Sequence, residues 1–175
     1  MSKKFKKYMS PYGVTGALLT CITLLALGFF VGLMVREQRF ATAPLVIFGL
    51  LFIVSLRPFF VGRAFFRSLE EKNINAIEQD FARAYPFVKG KVRLGQSYIF
   101  TKGSGKLVAY SDIVQIYQHI HSISGIEDKR MLKYIDADGK HHALCPLRLK
   151  GKSDSEMKDI LTVIRQKNRD VKVHD

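Results

Sequence analysis

VTGALLTCITLLALGFFVGLMV, residues 14–35, is an uncharged run of twenty-two residues, and its reading decides the architecture. At about 1.5 Å of rise per residue, a helix of this length crosses the ~30 Å hydrocarbon layer of a bilayer. Lys3, Lys4, Lys6 and Lys7 precede it, so a cleaved signal peptide is the first alternative. The run is longer than a signal-peptide core of roughly 7–15 residues. The nearest small-x-small triplet, Ala41-Thr42-Ala43, lies beyond the charged Arg36-Glu37-Gln38-Arg39 and opens a second apolar run. The stretch is therefore expected to be a retained membrane span.

That second run, ATAPLVIFGLLFIVSL at 41–56, is short for a span but resumes after Arg57-Pro58 as Phe59-Phe60-Val61-Gly62. Phe40, Phe59 and Phe60 suit the interfaces. Arg57 can carry its charge to the head groups along an apolar stem, and Pro44 falls in a first helical turn where its missing N–H costs little. The expected spans are 14–35 and 41–62. A soluble core hairpin is disfavoured, because the remaining chain would have to cover two long apolar helices on all sides.

The flanks orient the pair. Four Lys precede the first run, Arg57, Arg63 and Arg67 follow the second, and the connection holds Arg36 and Arg39 against Glu37. Positive residues favour the cytoplasmic side. The expectation is a multi-pass protein of the cell membrane with both termini cytoplasmic. Gly28 and Gly32 form G-x-x-x-G in the first run; small residues at that spacing let helix backbones approach. The partner surface would be the second run at Gly49, or another copy of the chain; ordinary glycine content of membrane helices is the plainer explanation.

Composition changes beyond residue 67. Residues 1–67, the basic N-terminus and hairpin, carry nine Lys and Arg and the single acid Glu37. Residues 68–86 are expected to form a linker helix: Ser68-x-x-Glu71 has capping-box spacing, and Ile74, Ile77, Phe81 and Ala84 share one face up to Pro86. Whether this helix continues the second span is left open by the sequence.

From residue 87 the texture is β. Alternation or β-branched runs mark strands at 91–94, 97–101, 106–110, 113–120, 131–135 and 140–144, and Asp138-Gly139 is a hairpin turn. At the end, Ser153-x-x-Glu156 caps a helix whose stripe is Met157, Ile160, Leu161 and Ile164, with Asn168 expected to close it in a left-handed conformation. The predicted fold is a membrane α-helical hairpin plus an α+β domain at 87–175. That domain is a small antiparallel β-sheet or partly open barrel closed by a C-terminal amphipathic helix.

Leu94-Gly95-Gln96-Ser97-Tyr98-Ile99-Phe100, Ala109-Tyr110-Ser111-Asp112-Ile113, Asp138-Gly139-Lys140 and the terminal helix carry a likeness. Together they resemble the bacterial pleckstrin-homology-like domains found behind short transmembrane hairpins. The likeness covers about half the chain, which departs from the seven-strand pattern by offering only about six strands. It implies a binding or scaffold module and no catalysis.

Chemistry-bearing motifs are few. Gly103-Ser104-Gly105-Lys106 lacks the remaining glycine, the Ser or Thr after Lys, and the helix start that a phosphate loop needs. Among His119, His121, His141, His142 and Cys145, the pair His119 and His121 would share one strand face and His141 and Cys145 another, so four ligands could make a zinc site, but no tight metal-ligand spacing supports it. No nucleophile motif accompanies the Ser, His and Asp residues. Cys21 and Cys145 are far apart and are expected to be free thiols. No catalytic residue, metal or cofactor is expected.

The signal that remains is charge. Residues 87–152 hold twelve Lys and Arg against five acids. Beside an anionic leaflet each basic residue contributes about 1 kcal/mol. Lys89, Lys91, Arg93, Lys102 and Lys106 are the candidate contacts to anionic lipid; solubility and the general positive-inside bias are the plainer account. Nucleic acid would accept the same charge, but no helix-turn-helix or basic-aromatic motif is present. The functional expectation is a bacterial membrane protein presenting a non-catalytic module at the inner leaflet. Its partners would be membrane lipids, a membrane or cytosolic protein, or a second copy. The alternative is an accessory or regulatory subunit of a larger membrane transporter or enzyme complex.

Overall fold

Twenty-four residues of helix, Val14–Glu37 (α2), and twenty-nine more, Thr42–Glu70 (α3), dominate the first part of the computed structural model. Residues 1–11, 14–37, 42–124, 126–147 and 153–174 are described. Gln38, Arg39, Phe40, Ala41, Arg148, Lys150 and Lys152, on which parts of the span and charge readings rest, lie outside them. A short helix, Lys3–Met9 (α1), comes first. Ile74–Arg83 (α4) follows α3, and Ser153–Lys167 (α5) stands near the end. The strands are Tyr85–Phe87 (β1), Val92–Leu94 (β2), Tyr98–Thr101 (β3), Leu107–Ala109 (β4), Gln115–Ile123 (β5), Ile126–Ile135 (β6), His141–Leu147 (β7) and Lys172–His174 (β8).

These elements divide into two compact units, Ser10–Lys72 and Met1–Met9 with Asn73–Asp175. The boundary differs from the expected grouping of residues 1–67, because α1 joins the α+β unit.

In the helical unit, Gly16–Arg36 and Leu45–Glu70 are both long and apolar enough to cross a membrane. Large apolar side chains such as Leu25, Phe29, Ile53 and Phe60 are exposed. The most buried polar side chains are Thr20, Thr23 and Ser55, at 9%, 3% and 4% exposure. The Thr20 hydroxyl donates to Ser55 Oγ at 3.3 Å, joining α2 to α3, and Phe30 stacks on Phe48 with centroids 5.2 Å apart. A Cβ added at Gly28, Gly32 or Gly49 would meet nothing within 4 Å among the described residues. The three glycines are thus open on the side a Cβ would take, and the contacts described between α2 and α3 are the Thr20–Ser55 bond and the Phe30–Phe48 stack. A close approach occurs at Gly62 instead, where Pro11 Cδ lies 3.2 Å from the site of a Cβ.

The linker reading is corrected in detail. α3 runs through Pro58 to Glu70, and Ser68 does not cap a helix: its hydroxyl donates to Phe65 O at 2.7 Å, inside α3. The helix is interrupted at residues 71–73 and α4 starts after Asn73, whose side-chain oxygen accepts the Ala76 N–H.

The α+β unit has two antiparallel-rich sheets, ordered β1-β2-β3-β4 and β7-β6-β5-β8. Eight strands occur among the described residues, not about six, and the sheets do not close into a barrel. A short 3-10 turn at Tyr110–Asp112 separates β4 from β5 and ends the first sheet. β8, after α5, pairs parallel to β5. Alternation sets the faces. Val92, Leu94, Ile99 and Val108 turn one face of the first sheet into a core shared with Ile116, Leu132, Leu144, and the α5 residues Met157, Ile160, Leu161 and Ile164. The α5 stripe is as expected, while the Ser153 side chain lies outside the described residues. Asn168 is not left-handed. Its amide donates at 2.8 Å to both Tyr110 O and Ile113 O, stitching the end of α5 to the inter-sheet turn.

Candidate functional site

On the other face of the first sheet, Arg93 of β2 stands opposite Phe100 of β3. This face is covered, because α1 and α4 lie over it. Phe81 contacts Phe5 and Phe100 edge-on at 5.2 and 5.3 Å between centroids. Phe5 and Met9, four apart on α1, are fully buried. Two backbone bonds hold the end of α1: Gly103 N–H donates to Tyr8 O at 2.8 Å and Gly105 N–H to Met9 O at 3.0 Å. The glycines of the GSGK segment thus serve as a C-terminal cap for α1. Both have the positive φ that lets their N–H groups face it.

The opposite end of the layer is fixed by Asp80 of α4. Its carboxylate accepts the N–H groups of Gln96, Ser97 and Tyr98 in the β2–β3 turn. A Cβ at Gly95 would stand 2.5 Å from that carboxylate, so the turn requires glycine there.

Between α1, α4 and the end of β3 is a cleft of about 870 Å³, lined by Lys4, Lys7, Tyr8, Glu78, Phe81, Arg93 and Lys102 among others. The Arg93 guanidinium lies over two rings, 5.0 Å from the Phe81 centroid and 5.5 Å from that of Tyr8. Its Nε is buried with no hydrogen-bond partner among the described residues. Glu78, the acid in the wall, is already engaged: it accepts the Ser2 N–H at 2.5 Å and lies 3.9 Å from the Met1 amino group. Burial pushes the Tyr8 phenol up to about 12, against the opposing pull of Arg93, so it stays neutral and donates to Phe100 O. The cleft is therefore cationic, with aromatic walls.

Of the five expected lipid-contact residues, Arg93 and Lys102 line this cleft. Lys89, Lys91 and Lys106 are exposed outside it. Lys4, Lys7 and Tyr8 were missed because the four lysines read as a span flank. The Phe5–Met9 spacing between them was the available sign of an amphipathic turn.

Three of the five histidines have separate partners. His121 pairs with Asp128 at 2.7 Å, His142 with Asp136 at 2.6 Å, and His141 with the Tyr117 hydroxyl at 2.8 Å. No group of three or more potential ligands converges among the described residues. Cys145 is buried in the core, and burial pushes its thiol up to about 12.

No protein family, curated protein or solved structure matches this chain.

Proposed function

We propose that this chain is a bacterial two-span membrane protein presenting a non-catalytic, pleckstrin-homology-like binding module to the cytoplasmic leaflet. The observation that carries the reading is that residues on both sides of the hairpin, Met1–Met9 and Asn73–Asp175, fold into one compact unit. A spanning hairpin that leaves and rejoins one body has both ends on the same side. The lysines before it and the arginines after it favour the cytoplasm. The basic excess of the body then faces an anionic leaflet, where each nearby cation adds about 1 kcal/mol of attraction. Two sheets closed by a C-terminal helix support the module likeness in its coarse outline. Fractionation tests the reading: the full-length protein remains in carbonate-washed membranes, and tags at either end are cleaved by protease only after cells are opened. Recovery in the aqueous fraction, or cleavage in intact cells, overturns it.

A second reading, a subunit of a larger membrane complex, is favoured by the open faces at Gly28, Gly32 and Gly49. Co-purification of a stoichiometric membrane partner in mild detergent, lost on Gly28→Leu with Gly32→Leu, distinguishes it.

A further inference from the structure

We propose that the cleft between α1, α4 and β3 is a binding site for a phosphate ester, seated on the Arg93 guanidinium and flanked by Lys4, Lys7 and Lys102. The inference rests on the membrane-module reading above and names the ligand class that this module takes.

Arg93 anchors the site. An arginine keeps its charge at any physiological pH, and taking its N–H groups out of water is costly unless an acceptor replaces the water. The rings of Phe81 and Tyr8 hold the guanidinium plane but accept no N–H in that plane. No carboxylate pairs with Arg93 among the described residues, and its Nε is buried without a partner. The acid in the wall, Glu78, is held by Ser2 N–H and the Met1 amino group. The fold has thus positioned a planar donor fork in a wall without supplying its anion.

The remaining features select the anion. Three lysines join Arg93 around the cleft, more positive charge than one carboxylate neutralises, and phosphate oxygens match the arginine fork in bidentate fashion. A volume of about 870 Å³ lies within the ordinary range for organic ligands, so the anion comes attached to a larger group. The amides of Asn75 and Gln79 in the same wall can bond hydroxyls of that group. A phospholipid head group and a soluble phosphate ester share this chemistry.

The test uses the full-length protein in nanodiscs. In discs of phosphatidylcholine alone it is titrated with glycerol 3-phosphate; in a second arm the discs contain phosphatidylglycerol. Hydrogen exchange at the amides of α1 is the readout, since ligand bridging α1 to β2 holds that helix down. Slowed exchange with the soluble ester assigns the site to a free ligand, and slowed exchange only with phosphatidylglycerol assigns it to the head group; each supports the site. Arg93→Gln is expected to weaken the effect roughly tenfold or more. Lys4→Gln with Lys7→Gln, which leaves the arginine–ring stack in place, is expected to weaken it too. Lys129→Gln with Lys158→Gln, outside the cleft, should change nothing. Absence of protection in both arms overturns the site. So does an equal loss in the Lys129/Lys158 variant, which would show only diffuse surface charge, or wild-type behaviour of both cleft variants. Carbonate extraction of the same preparation keeps the failures apart: an anchored protein with an inert cleft sinks this inference alone.

Discussion

The Asp80 carboxylate accepts the Tyr98 N–H at 3.0 Å, and through that bond α4 is fastened to the start of β3. The same carboxylate serves Ser97 and Gln96, so one side chain satisfies three donors of a tight turn. Asp80→Ala leaves them to water or unpaired and is expected to destabilise the α+β unit by about 1–3 kcal/mol. Gly95→Ala pushes a methyl against this carboxylate and should be comparably harmful. Because the two changes damage one contact, the double variant should cost less than their sum. Urea titration of all four proteins measures the coupling, and strict additivity would refute the shared clamp.

The acid sensitivity of the β6–β7 turn follows from Asp136. Its carboxylate bonds His142 at 2.6 Å and accepts the Lys140 and Asp138 N–H groups at 2.9 and 3.0 Å. These contacts, the His142 bond foremost, hold its carboxyl below the usual carboxylate range. A carboxyl lowered on folding adds stability above its unfolded value, near 4, and that stability is lost as pH falls through the folded value. Asp136→Asn should therefore be less stable than wild type at neutral pH, with the gap closing below about pH 4. Glu127 is lowered likewise by its bonds to Arg130 and titrates in the same acid region. The informative quantity is thus the difference between the two proteins across the pH series. A gap that persists undiminished to pH 3 would assign the loss to the turn's neutral hydrogen bonds.

Much of this is legible in the sequence. The two apolar runs, the Asp138-Gly139 turn and the α5 stripe each repeat one physical signal over many residues. What stayed hidden was short or depended on distant partners. α1 has seven residues, and only Phe81 and Phe100, far along the chain, make Phe5 a core residue. Tyr85-Pro86-Phe87 read as a helix stop, yet Pro86 is tolerated in β1 because that strand is a sheet edge. β8 is three residues long and is defined by its pairing with β5. Ser68 had the cap spacing, but the helix around it had already begun. Of the candidate site, Arg93 and Lys102 were visible as charge, while their convergence with Lys4 and Lys7 required the α1–α4 layer.

Hydroxyls, not glycines, are expected to govern the helical pair. Thr20 and Ser55 meet across it, but each also bonds a carbonyl of its own helix, Gly16 O and Phe52 O. Ser55→Ala should then cost only about 0.5–1 kcal/mol in detergent-unfolding assays. Ser55→Leu, which forces volume into the seam, should cost clearly more. Gly28→Ala with Gly32→Ala should leave the pair unperturbed, since both sites are open. A large loss from the alanine pair in the isolated chain would contradict the observed seam.

The two thiols should report on the two units separately. Cys145 is 1% exposed and its pKa is pushed up to about 12, chiefly by burial. At pH 7 its thiolate fraction is on the order of one in 10⁵, and the thiolate is the reactive form. In a Cys21→Ser background, maleimide labelling is therefore expected to proceed no faster than the α+β unit opens. Denaturant should accelerate it in parallel with loss of the circular-dichroism signal. Cys21, by contrast, is exposed on an apolar helix. In native membranes of a Cys145→Ser variant it should react with a membrane-permeant maleimide and resist a charged one applied from either side. Rapid labelling of Cys21 by the charged reagent would place that residue in water and remove the first helix from the bilayer.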